Sequence, residues 1–201
     1  MALTDIGTQL TEVHRQRQLQ VRSQTLADLL ALWPAFDLAD IDGTWPPVEA
    51  GLVTLIMARR RESSQIAADS YRTFRQVERI PGDVTVRPAA DPDRTLLTAT
   101  LRILGPIGAK KQISRGARNV SADTLTRVSG STTRQVLEAG RETLTRTLRD
   151  DPRSRGWRRI TDSDPCEFCA GLADEGVTAK TSAAGFAAHD HCGCTAEPAF
   201  T

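Results

Sequence analysis

With 201 residues and a formal net charge of +1, the chain is long enough for one sizeable domain or a domain plus a small module, and it lacks the strong positive charge behind non-specific nucleic-acid binding. Hydrophobic residues make up 39% of it but aromatics only 4%, and the ten prolines and 14 glycines sit mostly at segment borders, which favours helices with apolar stripes over a β-sandwich. The opening "MALTDIGTQLTEVHRQRQ" has no secretory pattern and no run approaches the roughly 18 apolar residues of a membrane span, so a soluble protein made in the cytoplasm, with reduced thiols and no membrane partner, is expected.

From Thr4 to about Trp33, the apolar residues Ile6, Leu10, Val13, Leu19, Leu26, Leu29 and Leu30 fall mostly at helical spacing, and Trp33-Pro34 ends that helix. Its "HRQRQLQVR" face reads as a solvated polar surface. The stretch "AFDLADIDGTWPP" reads as a linker, with Pro47 in the first turn of a second helix that continues through Leu52, Ile56, Ile66 and Phe74 until "IPGD". The run Arg59-Arg60-Arg61 in its middle is expected to face solvent, and "VTVRP" to form a short strand or extended connector. Asp91-Pro92 has the form of an N-cap and N1 proline for a helix through Leu97, Leu101 and Leu104, broken by "GPIG". After a partly helical "SADTLTRVSG", Thr132 to Gln135 has capping-box spacing at the head of a helix through Leu137, Leu144 and Leu148, closed by Asp150-Asp151-Pro152. No internal repeat is visible.

Beyond residue 152 the character changes. Glycine, cysteine and histidine rise, "WRRI" has the makeup of a strand, and all four cysteines fall in the last 36 residues. The expected architecture is therefore mainly α: an elongated helical scaffold or docking region, residues 1–152, followed by a small α+β module, residues 153–201. A module of that size rarely holds a core without a staple. The pattern Cys166-x2-Cys169-x19-His189-x2-Cys192-x-Cys194 has the layout of a zinc site, with two thiolates on one tight turn and a distant cluster completing the shell. The expected ligands are the four cysteines, with His189 or His191 able to replace Cys192. Disulfides between the clusters are the competing reading. A redox Cys-x-x-Cys lacks its βαβ context. The "PCEFC" string matches half of a zinc deaminase signature, whose His-x-Glu half is missing because His14 is followed by Arg15 and Gln16. His189, Asp190 and His191 keep a metal-dependent nuclease open.

At "PCEFCAGLADEG" and "FAAHDHCGCTAEPAF" the sequence resembles the MuF-like minor capsid and head morphogenesis proteins of tailed bacteriophages, particularly the actinophage branch. The resemblance covers roughly the last 45 residues, and matches Cys166, Cys169, His189, Cys192 and Cys194 to that family's cluster. Gly193 stands where many members have arginine. The resemblance implies a low-copy protein of the procapsid or virion interior, assembled in the bacterial host cytoplasm. Its implied partners are portal, scaffold or major capsid protein, with non-specific contact to packaged DNA and no small-molecule substrate. Its role would lie in capsid assembly, portal association, or DNA packaging and ejection.

Some relatives are labelled capsid maturation proteases, which makes proteolysis the alternative. His189 or His191 as base and Ser163 or Ser182 as nucleophile are its candidates, without any Gly-x-Ser-x-Gly or His-Glu-x-x-His string. A zinc-dependent DNA-binding or nuclease module is the third reading; it would use Arg153, Arg155, Arg158 and Arg159 around Trp157, although a packed tryptophan and solvated arginines are the plainer expectation. The end of the chain at "AEPAFT", soon after the motif, is compatible with a processed product.

Overall fold

The computed structural model describes residues 2–162, 164–182 and 185–201. Thr4 opens the first helix, α1 (Asp5–Leu32), by accepting the Gly7 N–H on its hydroxyl at 3.0 Å, and a 3-10 turn at Trp33–Ala35 ends it. The second helix, α2 (Ile41–Val77), begins at Ile41 and not at Pro47. Asp40 caps it by accepting the Gly43 N–H at 3.0 Å, and burial of Trp45, whose indole N–H donates to Glu49 at 2.9 Å, carries the helix across Pro46 and Pro47 despite their missing amides. Half of the expected linker is thus helix.

A similar shift occurs at α3 (Arg94–Arg102), where Asp93 and not Asp91 is the cap, accepting the Thr95 and Leu96 N–H groups at 2.7 and 3.3 Å. "GPIG" does not break the chain direction. A π turn at Ile103–Ile107 absorbs Pro106, and α4 (Gly108–Ser114) follows. The fifth helix, α5 (Val120–Asp150), is continuous, so Thr132 to Gln135 lies inside it and the capping-box spacing there is coincidental. The Thr133 hydroxyl donates back to the Ser129 and Gly130 carbonyls at 2.9 and 3.0 Å, as an interior helical threonine does. The "VTVRP" segment is an extended connector along α5, its Arg87 and Ala89 N–H groups donating to the Thr147 and Thr143 hydroxyls at 3.0 and 2.9 Å.

After Asp151 the chain turns into β1 (Ser154–Ile160), then α6 (Glu167–Asp174), β2 (Val177–Ala179) and β3 (Thr195–Phe200). The strands form an antiparallel sheet in the order β2-β1-β3, with Trp157 opposite Thr178 on one side and Pro198 on the other. Every residue of β3 is buried, because the strand lies against α5 and α1. The fold is mainly helical with a small C-terminal sheet, as expected.

Two apolar cores run through the bundle of α1, α2 and α5. Leu29, Trp45, Leu52, Ile56, Leu101 and Val128 belong to the first; Tyr71, Phe74, Leu144, Leu148, Trp157 and Phe200 belong to the second. At the helix positions between them lies a polar layer. His14 and Gln18, on the face expected to be solvated, are only 5% and 2% exposed. Gln18 donates to the Ser63 carbonyl at 2.9 Å and accepts from the Ser63 hydroxyl at 2.7 Å, and that hydroxyl accepts the Gly140 N–H at 3.1 Å. Arg60, likewise expected outside, is buried and donates to the Gln135 carbonyl at 2.5 Å and the Ala90 carbonyl at 3.2 Å. Gln18 and Arg60 are buried because each finds partners on another segment, while the His14 ring meets Gln18 one turn along its own helix at 3.3 Å.

Burial, with the charge of Arg17 adding to it, lowers the His14 imidazole to about 4. Its folded value lies below the unfolded one, so the unfolded chain binds the extra proton first, and stability is lost as pH falls from 6.5 through 4. The loss from this group is about 2 to 3 kcal/mol. Urea unfolding at pH 7 and pH 4.5 should show a smaller drop for His14→Gln than for the wild type by about that amount; equal drops would contradict a neutral buried histidine.

Candidate metal centre

Cys166 is the N-cap residue of α6, in extended conformation, and Cys169 follows within its first turn, so both sulfurs gather at that helix end. The other three donors lie on the segment leading into β3. The Cys192 N–H donates to the His189 carbonyl at 3.2 Å, and His191 adopts a left-handed conformation (φ 65°), which folds His189 and Cys192 back toward α6. His189 Nε2 lies 2.9 Å from Cys166 Sγ and 3.5 Å from Cys169 Sγ, and Cys169 Sγ lies 3.7 Å from Cys192 Sγ. Two overlapping groups result, Cys166/Cys169/His189 and Cys169/Cys192/Cys194, each with its donor atoms within 4.8 Å of one another, and each could hold a metal ion. All four cysteines are free thiols, so the tail is not closed by disulfides.

His189 is oriented for such a role. Its Nδ1 is 2.6 Å from the Asp190 carbonyl, a contact that places the proton on Nδ1 and leaves the Nε2 lone pair facing the sulfurs. The other sequence candidates go elsewhere. His191 lies over α5, where a side chain at Gly130 would come within 2.5 Å of its Nε2, so only glycine leaves room for the ring. Asp190 pairs with Arg134 at 2.8 Å. Ser163 lies outside the described residues, and Ser182 donates its N–H to the Ala179 carbonyl in the turn after β2. Of the four arginines near the boundary, Arg153 and Arg155 are exposed, Arg158 pairs with the buried Glu197, and Arg159 is buried; Trp157 packs in the second core. Gly193 faces Leu19 and Arg22 of α1, with Asp162 Oδ2 2.6 Å from where a side chain would start, so any side chain there would have to displace these side-chain ends.

Two residues that the spacing argument missed support the cluster. Arg141, 2% exposed, donates to the Cys194 carbonyl at 3.0 Å and the Cys192 carbonyl at 2.8 Å, fixing the loop to α5. Arg159 donates to the Ala187 carbonyl at 2.5 Å and approaches Cys169 Sγ at 3.8 Å. Their guanidinium carbons lie 5.2 and 4.0 Å from the centre of the Phe186 ring. A signal existed for the first: Arg141 shares the apolar stripe of Leu137, Leu144 and Leu148.

The thiols do not share charge evenly. A hydrogen bond from Cys194, with the positive charge of Arg141, holds Cys192 at about 5, whereas burial pushes Cys169 up to about 11. Cys194 is raised because its thiol donates to Cys192, and Cys166 is lowered because it accepts the Cys169 N–H. The hydrogen bond to Asp190 raises His189. Without a cation, one thiolate is favoured in the buried group and its neighbours retain their protons; a bound divalent ion would reverse that.

The chain matches the VG15 protein family over residues 6–201, and so belongs to that family of phage proteins. No curated protein and no solved structure matches it significantly.

Because Cys169 holds its proton before binding, Zn2+ added to the reduced, metal-free chain near pH 7 should release at least about one proton per ion. Calorimetric titration in two buffers of different ionisation enthalpy measures this number; binding without proton release would mean that the buried thiols are not ligands.

Proposed function

We propose that this member of the VG15 family is a structural protein of the phage head, acting in capsid assembly, portal association or DNA packaging and ejection through protein contacts, with its tail stapled by zinc. The observation that carries the proposal is the burial of a sulfur-rich donor cluster. Cys169 and Cys192 are 1% and 4% exposed while Cys166 and His189 stand on the solvent side, and four protein ligands rich in thiolate are what structural zinc takes, whereas a catalytic site keeps a position open. The resemblance of the two Cys/His strings to MuF-like head proteins supports the assignment to the head.

A tetrahedral ion with Zn–S bonds near 2.3 Å holds sulfurs about 3.8 Å apart, and the corresponding sulfur to nitrogen separation is about 3.5 Å. Cys169 to Cys192 at 3.7 Å and Cys169 to His189 at 3.5 Å match those separations, Cys166 to His189 at 2.9 Å is tighter, and Cys192 is grouped with Cys169 and Cys194 and not with Cys166 and His189. An ion drawn to Cys169, which both groups share, would take Cys166, His189 and Cys192 as its other ligands by closing the gap between the groups, with Cys194 donating its thiol hydrogen bond to Cys192 from outside the shell. This differs from the all-cysteine set that spacing favours, because His189 Nε2 is turned toward the sulfurs.

Docking on the head then falls to surfaces the bundle leaves free. The apolar stripes of α1, α2 and α5 are spent on one another, but Leu3, Ile6 and Val13, 45% to 63% exposed, remain on the outer side of the first helix and the residues before it. They suit a helix-packing contact with portal, scaffold or capsid protein.

Elemental mass spectrometry of the purified chain should find about one zinc per molecule, lost in Cys166→Ser, Cys169→Ser, His189→Ala and Cys192→Ser and retained in Cys194→Ser. Co-expressed with the head proteins of its phage, the wild type should enter procapsids and Ile6→Asp/Val13→Asp should not. Exclusion of the wild type from procapsids would refute the head assignment, and cleavage of scaffold or capsid protein by the purified chain would assign it to proteolysis instead.

A further inference from the structure

Two exposed stretches of this chain each contain charged residues of a single sign. Residues 94–118 contain Arg94, Arg102, Lys110, Lys111, Arg115 and Arg118 and no carboxylate. Glu49 holds Arg102 at 2.8 Å and Asp42 holds Lys110 at 2.6 Å. The other four cations are exposed and have no ion-pair partner among the described residues. Leu96, Ile103, Ile107 and Ile113 are 47% to 68% exposed among them, and Arg94, Thr98, Arg102, Ile103 and Ile107 line an open groove of about 510 Å3.

The stretch 164–179 is the converse. Asp164, Glu167, Asp174 and Glu175 are exposed, likewise without an ion-pair partner among the described residues, and the stretch contains no lysine or arginine. Phe168 and Val177 are 52% and 39% exposed in its midst. An apolar centre within a charged rim is the anatomy of a protein interface. The basic surface holds no aromatic residue on which a nucleobase could stack, and exposed isoleucines gain nothing from phosphates, so a protein partner suits it better than nucleic acid.

The two surfaces belong to different parts of the fold. The helices α3 and α4 pack around the first core with Trp45 and Leu101, while α6 packs on β1 in the second. Joining them takes two chains. Four free cations face four free carboxylates, and an aliphatic groove matches an exposed phenylalanine.

We infer that the chain associates with further copies of itself head to tail, Phe168 of one copy entering the groove between α3 and the π turn of the next, with Asp164 and Glu167 beside Arg94 and its neighbours. Since the two surfaces are different, each copy keeps one of each free after pairing, and the contact propagates into a closed ring or an open row. Steering by opposite charge makes it salt-dependent.

Sedimentation velocity of the full chain at low salt should show concentration-dependent growth beyond the monomer, weakened roughly 10-fold or more by 0.5 M NaCl. Ile103→Asp/Ile107→Asp and, separately, Phe168→Ala should each abolish growth while leaving the thermal unfolding transition in place, all three side chains being on the surface. The decisive step is to mix the two variants. Each retains the surface that the other lacks, so an equimolar mixture should form a dimer and nothing larger. A wild type that stays monomeric at about 100 μM, or a mixture that stays monomeric while the wild type grows, overturns head-to-tail pairing; binding of duplex DNA or anionic vesicles by a monomeric wild type, lost in Arg115→Glu/Arg118→Glu, would give the basic surface to that ligand instead.

Discussion

A carboxylate with no exposed surface joins the helical and sheet parts of this molecule. Asp151 ends α5, and its side chain accepts hydrogen bonds from the Tyr71 hydroxyl and the Arg75 guanidinium of α2 and from the Arg153 N–H, while Lys180 donates to its carbonyl at 2.8 Å. Four segments therefore meet at one residue: the end of α2, the end of α5, the entry to β1 and the exit of β2. Buried charge tolerates no missing partner, since an unpaired one costs about 3 to 5 kcal/mol. The direction in which the chain leaves α5 is fixed here, and with it the place of the sheet and of the cysteines that the sheet carries.

The sequence made the donors legible because metal chemistry restricts both residue type and spacing. Cys166, Cys169, His189, Cys192 and Cys194 do meet, over separations of more than 20 residues. Helix existence was legible for the same kind of reason, as apolar periodicity reports a buried face. Helix ends were not. Prolines 46 and 47 and the Thr132 spacing are local signals, and each is overridden by burial that depends on distant residues, Trp45 in the first core and Thr132 at the centre of the bundle. The polar layer was least legible of all. Gln18 and Arg60 read as solvated because their partners, Ser63, Gln135 and Ala90, lie on other segments and leave no mark in the local pattern, and His14 is buried beside Gln18.

Arg141 belongs to that layer and also bears on the cluster. Burial lowers its affinity for a proton, against the pull of the cysteines and Glu138. A dication held by three thiolates would leave a net charge of −1, and a guanidinium kept out of water beside it would be compensated by that charge. The same side chain donates from Nε and Nη2 to the carbonyls of Cys194 and Cys192, with Nη1 left without an acceptor, and so ties the loop that supplies half of the donors to α5. Arg159 also lies against Phe186, so the ring offers its π system to two like charges.

A sheet with a three-residue edge strand is marginal by itself. Here Phe200 packs against Tyr71 and Phe74, and Glu197, fully withdrawn from solvent, accepts from the Thr11 hydroxyl at 2.8 Å and from Arg158. These contacts secure β3 and β1 to the bundle, yet none of them touches α6. That helix rests on β1 and on its own two cysteines, and Phe168, standing between them, has its ring 6.4 Å from that of His189. The direction in which α6 presents its carboxylates and its phenylalanine is therefore set by the donor cluster more than by the core. In this fold the cluster that braces the tail also aims α6, whose buried side chain, Cys169, is at once a donor and a member of the second core.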